Sequence, residues 1–133
     1  MTDLVKKNQE ALLKFLSGKE MGLDLPSPFE RDIFLFDTNV AGTSFIEGIE
    51  EIEKTLQIGD KLVFYREPDN KFDPQAIRVE TTAGQKIGYV PQQDNVVFAR
   101  LMDAGKMLFG QILTKEMRGK WLKMSMKIYL YEN

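Results

Sequence analysis

The chain has 133 residues, of which 43% are hydrophobic and 29% charged, and these values predict one soluble globular domain with a core of its own. It contains no cysteine and no histidine, which excludes disulfides, thiol chemistry, histidine-based catalytic triads and ordinary zinc sites. The formal net charge is -2, so any nucleic-acid-binding surface would have to be a local basic patch.

The N-terminal part of the sequence predicts a helix followed by a connector. Between residues 3 and 17 apolar side chains recur at spacings of three and four, as in an amphipathic helix; they are Leu4, Val5, Ala11, Leu12, Phe15 and Leu16. Two prolines interrupt the connector that follows. We therefore divide the chain into an N-terminal helix and connector, residues 1–32, and a domain, residues 33–133. The helix is expected to pack on the domain or on a second subunit, and the alternative is that it binds a partner protein.

Residues 33–60 predict a first strand and a short helix. Residues 33–36 and 40–45 have the composition of a strand, with an interruption between them. Apolar residues then recur at helical spacing among glutamates, which predicts a helix within residues 46–56.

Residues 61–91 predict three strands and two turns. The strands are expected at residues 61–66, 76–81 and 86–90, and prolines and asparagine mark the first turn. On the third strand, Ile87 and Tyr89 are expected to share a face. Gly88 between them is typical of a bulge or of a close backbone approach.

The last third predicts one helix and two strands. The helix is expected at residues 95–104, with Asp94 as N-cap and Gly105 just after its end. Its predicted apolar face consists of Val97, Leu101 and Met102. A strand at residues 107–115 and a turn at residues 117–120 follow.

The final strand, residues 121–131, alternates without a break. Its even-numbered residues are apolar and are expected in the core. The other face combines lysines with Trp121, Tyr129 and Tyr131. Flat rings stack on bases and cations hold phosphates, so this face is a candidate for single-stranded nucleic acid. The alternative is that the three rings pack under the N-terminal helix or under a loop.

Six or so short strands with two or three helices predict a mainly β domain with helices, of the α+β class, built as a small closed or nearly closed barrel. The core motif carries a resemblance as well. The segment Arg66-Glu-Pro-Asp-Asn-Lys-Phe-Asp-Pro-Gln-Ala-Ile-Arg-Val79, followed by Lys86-Ile-Gly-Tyr-Val-Pro91, resembles the core of the HIRAN domain. Gly42-Thr-Ser-Phe-Ile-Glu-Gly48 fits that family's first-strand motif more loosely. The resemblance covers roughly residues 33 to 130 and implies an OB-like barrel with helices at its ends.

The resemblance also implies a site. In the DNA-binding member of the family the domain grips the 3′ end of single-stranded DNA, with aromatic side chains on the terminal bases and an aspartate on the 3′-hydroxyl. By motif position that aspartate is Asp73, and the stacking rings are Phe45, Phe72 and Trp121. Nearby polar and basic candidates are Asn70, Lys71, Lys86 and Lys123. An equally open alternative is that Asp73 caps a turn and meets no ligand.

Two positions depart from the DNA-binding pattern. Ser44 stands where that member has an arginine, and Gln92 stands where it has a lysine. Because phosphate contacts dominate affinity, losing two cations should weaken binding.

Other chemistries find less support in the sequence. Glu67, Asp69, Asn70 and Asp73 bring four oxygen-bearing side chains together, but they lack the glycine and distant glutamate of a calcium loop. No nucleophile motif and no phosphate-binding glycine loop is present. We therefore expect no metal, no cofactor and no enzymatic activity.

The sequence thus predicts a stand-alone, bacterial, non-catalytic module that binds the 3′ end of single-stranded DNA or another nucleic acid. The alternative is a protein-interaction or oligomerisation module that uses the N-terminal helix. No apolar run has the length of a membrane span and the start does not resemble a signal peptide, so we expect a cytoplasmic protein without membrane contact.

Overall fold

The computed structural model describes residues 31–132, so the predicted N-terminal helix lies outside the described residues. Within this range the strands are β1 (Arg31–Asn39), β2 (Lys61–Arg66), β3 (Ile77–Thr81), β4 (Lys86–Tyr89), β5 (Met107–Arg118) and β6 (Trp121–Glu132). The helices are α1 (Ile49–Lys54) and α2 (Asn95–Asp103), and a single 3-10 turn covers Thr43–Phe45. The mainly β architecture predicted from the sequence is confirmed.

The six strands form one antiparallel sheet in the order β1-β6-β5-β2-β3-β4. The sheet is curled, so its two edge strands, β1 and β4, approach each other. Just past β1, the amide of Ala41 donates to the carbonyl of Tyr89 at 2.8 Å, and the amide of Tyr89 donates back at 2.9 Å. This single bridge joins the two edges at one point, as in a small barrel.

The core lies inside the curled sheet. As the alternation of the last strand predicted, Leu122, Met124, Met126 and Ile128 are fully buried. They meet the inward residues of β2, β3 and β5, and α1 and α2 add Ile49, Phe98, Ala99 and Met102. Each such side chain contributes about 1.5–3 kcal/mol by leaving water, so this core is the main source of stability.

The first strand differs from the prediction in two ways. It runs without interruption to Asn39, because residues 37–39 remain paired with β6. The second half, predicted as strand at residues 40–45, is wrong beyond Ala41. There Gly42 adopts a positive φ of 74° and turns the chain into the 3-10 turn. The hydroxyl of Thr43 donates to the carbonyl of Leu122 at 2.7 Å and anchors this turn to β6.

A bulge corrects the prediction for β4. Val79 pairs with Gly88 and Glu80 with Lys86, so Ile87 is the extra residue. Ile87 therefore enters the core while Tyr89 lies on the outer face, opposite Arg78. The expectation that Ile87 and Tyr89 share a face is wrong, because a bulge shifts the two-residue alternation by one. The expected role of Gly88 in a close backbone approach is confirmed, since a Cβ there would lie 2.3 Å from the oxygen of Ala41.

The second helix ends as predicted, but the predicted N-cap residue does not cap its start. The amide of Gly105 donates to Met102 and that of Lys106 to Leu101, a Schellman ending with Gly105 at a φ of 91°. Asp94 stands at the N-cap position, but its carboxylate accepts a hydrogen bond from Thr38 instead of capping the helix.

The predicted apolar face of α2 is wrong at one residue. Val97 stays 63% exposed, because Phe98 and Ala99 take the position over the core together with Met102. Elsewhere the predicted elements differ only in length. The short helix contracts to Ile49–Lys54, and the β5–β6 hairpin turns on Gly119 and Lys120 alone.

Candidate nucleic-acid interface

The β2–β3 loop is built around the side chain of Asn70. The amide of Asn70 donates to the carbonyl of Glu67 at 3.0 Å, which closes the first turn. Its Oδ1 then accepts from the amides of Phe72, at 2.8 Å, and Asp73, at 3.0 Å. Asparagine folds a loop in this way because its side-chain carbonyl imitates a backbone carbonyl two residues on. The loop is thus closed from inside, and the ring of Phe72 is left 92% exposed.

Asp73 joins this loop to the start of α2. One carboxylate oxygen accepts from the amide of Gln75 at 2.8 Å, so Asp73 caps the second turn. The other accepts from the side-chain amide of Asn95 at 2.7 Å. An ionised carboxylate can accept further hydrogen bonds through its remaining lone pairs. The turn-cap interpretation of Asp73 therefore describes its internal contacts, and a ligand hydroxyl could be accepted in addition.

Arg66, the first residue of the motif, clamps the loop from the opposite side. Its side chain is only 4% exposed. The guanidinium donates to the carbonyls of Ala76, at 2.7 Å, and Pro74, at 3.0 Å. It also makes a two-pronged contact with Asp103 at 2.9 and 3.2 Å. Because the planar guanidinium offers several donors in a fixed fork, one arginine holds both the end of the loop and the end of α2.

Glu67, the second residue of the motif, ties the loop to the outer face of the sheet. One of its oxygens accepts from Asn70 at 3.1 Å and from the hydroxyl of Tyr89 at 2.8 Å. The other accepts from Arg78 at 2.8 Å, and Arg78 also reaches Glu80 at 2.6 Å. The guanidinium of Arg78 lies 5.1 Å from the centre of the Tyr65 ring. A motif carboxylate thus connects β2, β3 and β4 to the loop.

These contacts shift the pKa values of the network. Burial opposes ionisation of Glu67, but hydrogen bonds from Asn70, Tyr89 and Arg78 outweigh it and lower the pKa of this carboxyl below its usual value. For Arg78 burial again opposes the charge, while Glu67 and Glu80 raise the pKa of the guanidinium. Burial, followed by the charge of Glu80, raises the pKa of the Tyr65 hydroxyl. The shifts therefore favour the charged forms of Glu67 and Arg78 and the neutral form of Tyr65.

Glu67 should make the acid stability of the protein pH-dependent. Its pKa is lower in the folded chain than the unfolded value of about 4.3, so the unfolded state binds the proton more readily. Its stabilisation is present above about pH 4.3 and is lost as the pH falls through the lower folded pKa. We expect Glu67→Gln to be less stable than wild type near neutral pH, with a difference that shrinks below about pH 4.3.

Urea unfolding at several pH values measures this difference. Glu50→Gln, which removes an exposed carboxylate of α1, is the matched control and should follow the wild type. A difference for Glu67→Gln that stays constant down to pH 3 would contradict the assigned contacts.

The three candidate stacking rings lie on segments that are joined to one another. Phe45, on the 3-10 turn, is 90% exposed, and Trp121, at the start of β6, is 46% exposed. The loop of Phe72 contacts Tyr89 through Glu67, Tyr89 pairs with Ala41 just before the 3-10 turn, and Thr43 within that turn bonds Leu122 next to Trp121. Hydrogen bonds and short stretches of the chain therefore connect the segments that carry the three rings.

The predicted cations differ in their surroundings. Lys71 and Lys123 are exposed, beside Phe72 and near Trp121. Lys86 lies over the ring of Tyr89 at 4.5 Å from its centre and donates to its hydroxyl at 2.9 Å. Ser44 and Gln92 are exposed as well, so the uncharged departures from the family pattern lie at the surface.

The far half of the outward face of β6 packs against rings of the neighbouring strands and not, as the alternative interpretation predicted, under a described helix or loop. Tyr129 stacks on Phe109 with ring centres 5.3 Å apart, and Phe34 meets it edge-on at 5.9 Å. Lys61 lies 4.8 Å above Phe109. Only the Trp121 end of the face therefore offers a ring that is substantially exposed.

Two further observations concern metal ligands and membrane-spanning helices in residues 31–132. Across this range no three acidic side chains are grouped as metal ligands would be. Glu67, Asn70 and Asp73, the core of the acidic cluster singled out in the sequence, are instead hydrogen-bonded to protein groups. None of the helices in this range is long and apolar enough to cross a membrane.

Asn95 was missed as a member of the site. It is buried at the first position of α2 and orients the carboxylate of Asp73. A signal was present, since Asn95 precedes Phe98, Ala99 and Met102 at spacings of three, four and seven and so lies on the buried face. A polar residue at such a position needs partners, and Asp73 supplies one for Nδ2 of Asn95, while Oδ1 of Asn95 is buried without a hydrogen bond from the described residues.

Comparison with known proteins identifies the family. The family model of the HIRAN domain matches residues 33–132, and the chain therefore belongs to the HIRAN domain family. The resemblance drawn from the loop motif is thereby confirmed. No curated protein matched the chain.

Two solved structures are similar to this chain. One is a protein from Lactobacillus plantarum, with a TM-score of 0.73 and 26% identity, covering 78% of this chain and 99% of that one. The other is the HIRAN domain of human HLTF, with a TM-score of 0.61 and 16% identity, covering 77% of this chain and 80% of that one. At that identity the second similarity concerns the fold alone.

Proposed function

We propose that this protein is a non-catalytic module that binds single-stranded DNA at its 3′ end. The observation that carries the proposal is the ring of Phe72, 92% exposed on a loop that Asn70, Arg66 and Glu67 hold closed. Folding gains little from a phenylalanine in water, and the internal hydrogen bonds of the loop fix the backbone that carries the ring. An exposed ring presented from a fixed backbone is available for base stacking.

The remaining roles follow from the placement of the other candidates. Phe45 and Trp121 provide further stacking surfaces, and each stacked base contributes about 1–3 kcal/mol. Asp73, oriented by Asn95, accepts the terminal hydroxyl through a remaining lone pair. Lys71, Lys86 and Lys123 supply positive charge for the phosphates, and Asn70 shapes the loop. Membership of the HIRAN family supports a nucleic-acid-binding module.

One observation favours the alternative, a protein-interaction module. Ser44 and Gln92 leave the exposed surface without two cations, and the chain as a whole is acidic. Exposed aromatic rings also serve as anchors between proteins, where phosphate cations are not needed. The alternative predicts no measurable binding of DNA even at low salt.

A titration with short single-stranded DNA at low salt separates the two. Trp121 is the sole tryptophan, so its fluorescence reports one place on the surface. We expect tight binding to a free 3′ end and much weaker binding when a 3′ phosphate blocks it. Equal binding to both ends would reduce the proposal to a general stacking surface, and no binding would favour the protein-interaction module.

Phe72→Ala should weaken binding about 5- to 150-fold, the equivalent of one stacked base. Phe34→Ala is the matched control. Its ring is also exposed, but it packs beside Tyr129, eight residues along β6 from Trp121 or about 26 Å at roughly 3.3 Å per residue. Binding measured by fluorescence anisotropy should be unchanged in the control. An affinity of Phe72→Ala equal to that of wild type would rule out stacking on this ring.

A further inference from the structure

A groove lies between β1 and α2, on a surface that the proposed DNA site does not use. It has a volume of about 460 Å³ and is lined mainly by apolar side chains: Leu35, Phe36, Val97, Phe98 and Leu101, with Gln93 and Asp94 at the edge. Phe36 contacts Phe98 across it, with ring centres 5.9 Å apart. Val97 is one of the lining residues, and it is 63% exposed. A contiguous apolar surface of this kind marks a place where another segment packs.

We propose that residues 3–17 of the same chain form an amphipathic helix that packs into this groove. Their apolar residues recur at helical spacing and would form one stripe. A helix of fifteen residues is about 22 Å long, and such a helix is marginal in water unless its apolar stripe is covered. The groove supplies that cover, and the stripe fills the groove.

The route of the chain favours this occupant over a second copy. The connector that follows residues 3–17 leads into β1 at Arg31, and Leu35 and Phe36 of that strand line the groove. The thirteen connecting residues can span up to roughly 43 Å, which is enough to reach any part of the groove. A tethered segment has an effective concentration of about millimolar, well above that of a separate protein in solution.

The charges agree with this arrangement. Residues 3–17 carry three lysines against one aspartate and one glutamate. The two elements beside the groove, from residue 31 to 39 and from 94 to 103, carry four aspartates against two arginines. The segment is therefore net positive and its acceptor surface net negative.

The absence of cysteine makes the test direct, since one introduced thiol reports one position. In the full-length chain, Val97→Cys lies in the groove and Val96→Cys lies beside it on the same helix, outside the lining. Across residues 31–132, Val97 is 63% exposed and Val96 is 42% exposed, so an empty groove predicts faster labelling at position 97. We expect the reverse, with a maleimide dye reacting at least about tenfold more slowly at position 97.

Two sets of N-terminal variants identify the occupant. Adding Leu12→Asp and Phe15→Asp should release position 97 and restore fast labelling. Adding Lys6→Gln and Lys7→Gln makes the same change in net charge but leaves the apolar stripe intact, and position 97 should stay protected. An unchanged rate for Val96→Cys in each background shows that the domain remains folded.

Three results would overturn the proposal. The first is labelling at position 97 that is faster than at position 96 in the parent chain. The second is protection that persists after Leu12→Asp and Phe15→Asp. The third is protection that disappears on dilution, which would assign the groove to a second copy of the chain.

Discussion

Gly88→Ala is expected to destabilise the protein by about 3 kcal/mol or more, a loss of roughly 10–20 °C in melting temperature. A Cβ at position 88 would lie 2.3 Å from the carbonyl oxygen of Ala41 and 2.8 Å from Cγ1 of Val40. Backbone atoms cannot give way cheaply. Ala41 and Tyr89 form the bridge that joins the two edges of the sheet, and the added methyl group would force that bridge apart.

The matched control is Gly84→Ala, in the β3–β4 hairpin that also leads to Gly88. A Cβ at position 84 meets nothing within 4 Å, so its cost is the strain of a positive φ of 88° alone. We expect a loss of about 1–2 kcal/mol there. Thermal and urea unfolding of both variants measure the difference, and equal losses would show that the close approach to Ala41 is unimportant.

The second large effect is expected for Arg66→Met. The change keeps part of the apolar stem but removes the guanidinium contacts with Ala76, Pro74 and Asp103. Hydrogen bonds to a charged group contribute about 1.5–3 kcal/mol, and this side chain is buried. We therefore expect a loss of about 2–4 kcal/mol, together with faster amide hydrogen exchange in the β2–β3 loop.

Arg31→Met removes another arginine–carboxylate contact, the exposed ion pair with Glu132 at 2.7 Å. Exposed pairs of this kind contribute at most about 1 kcal/mol, so this control should lose little stability. If the proposed function is correct, Arg66→Met should also weaken DNA binding, because the loop backbone that carries Phe72 would be less well fixed. A stable Arg66→Met variant with a protected loop would contradict the clamp.

The parts of the fold that depend on local periodicity could be predicted from the sequence. The alternation of β6 assigned its core face correctly, because each strand residue points opposite to its neighbour. Gly105 marked the end of α2, since a helix that ends in a left-handed residue favours glycine. Both signals lie within a few residues of the feature they predict.

The parts that depend on distant contacts could not be predicted in the same way. Tyr89 lies on the face opposite to the predicted one because β4 has a bulge where it pairs with β3. The alternation of residues within β4 gives no sign of that bulge. The 3-10 turn replaced the second half of the first strand because Thr43 bonds to Leu122, 79 residues away. Val97 stays exposed while Phe98 packs in the core, and contacts between α2 and the rest of the fold decide which side of the helix is buried.

The candidate site shows the same division. The motif located the loop and its turn formers, because Asn70 and Asp73 act on amides two and three residues away. The hydrogen bonds of Asp73 with Asn95 and of Arg66 with Asp103 were not predicted, since these partners are distant in sequence and meet only in the folded chain. The binding roles of Phe45, Phe72, Asp73 and Trp121 stay a prediction, and the DNA titration tests them.

The pairing of β1 with β6 has a consequence for synthesis on the ribosome. Arg31 pairs with Glu132 and Asn39 with Ser125, so the partner of the first strand is made about 90 residues later. At roughly 5–20 residues per second, β1 waits about 5–20 s for its partner strand. During that interval Phe34 lacks its neighbour Tyr129. Phe36 lacks its neighbour Phe98 for a shorter time, because Phe98 is synthesised earlier than β6. The sheet is therefore completed only after β6 has been synthesised, and the loop closure of this pair is a late step in folding.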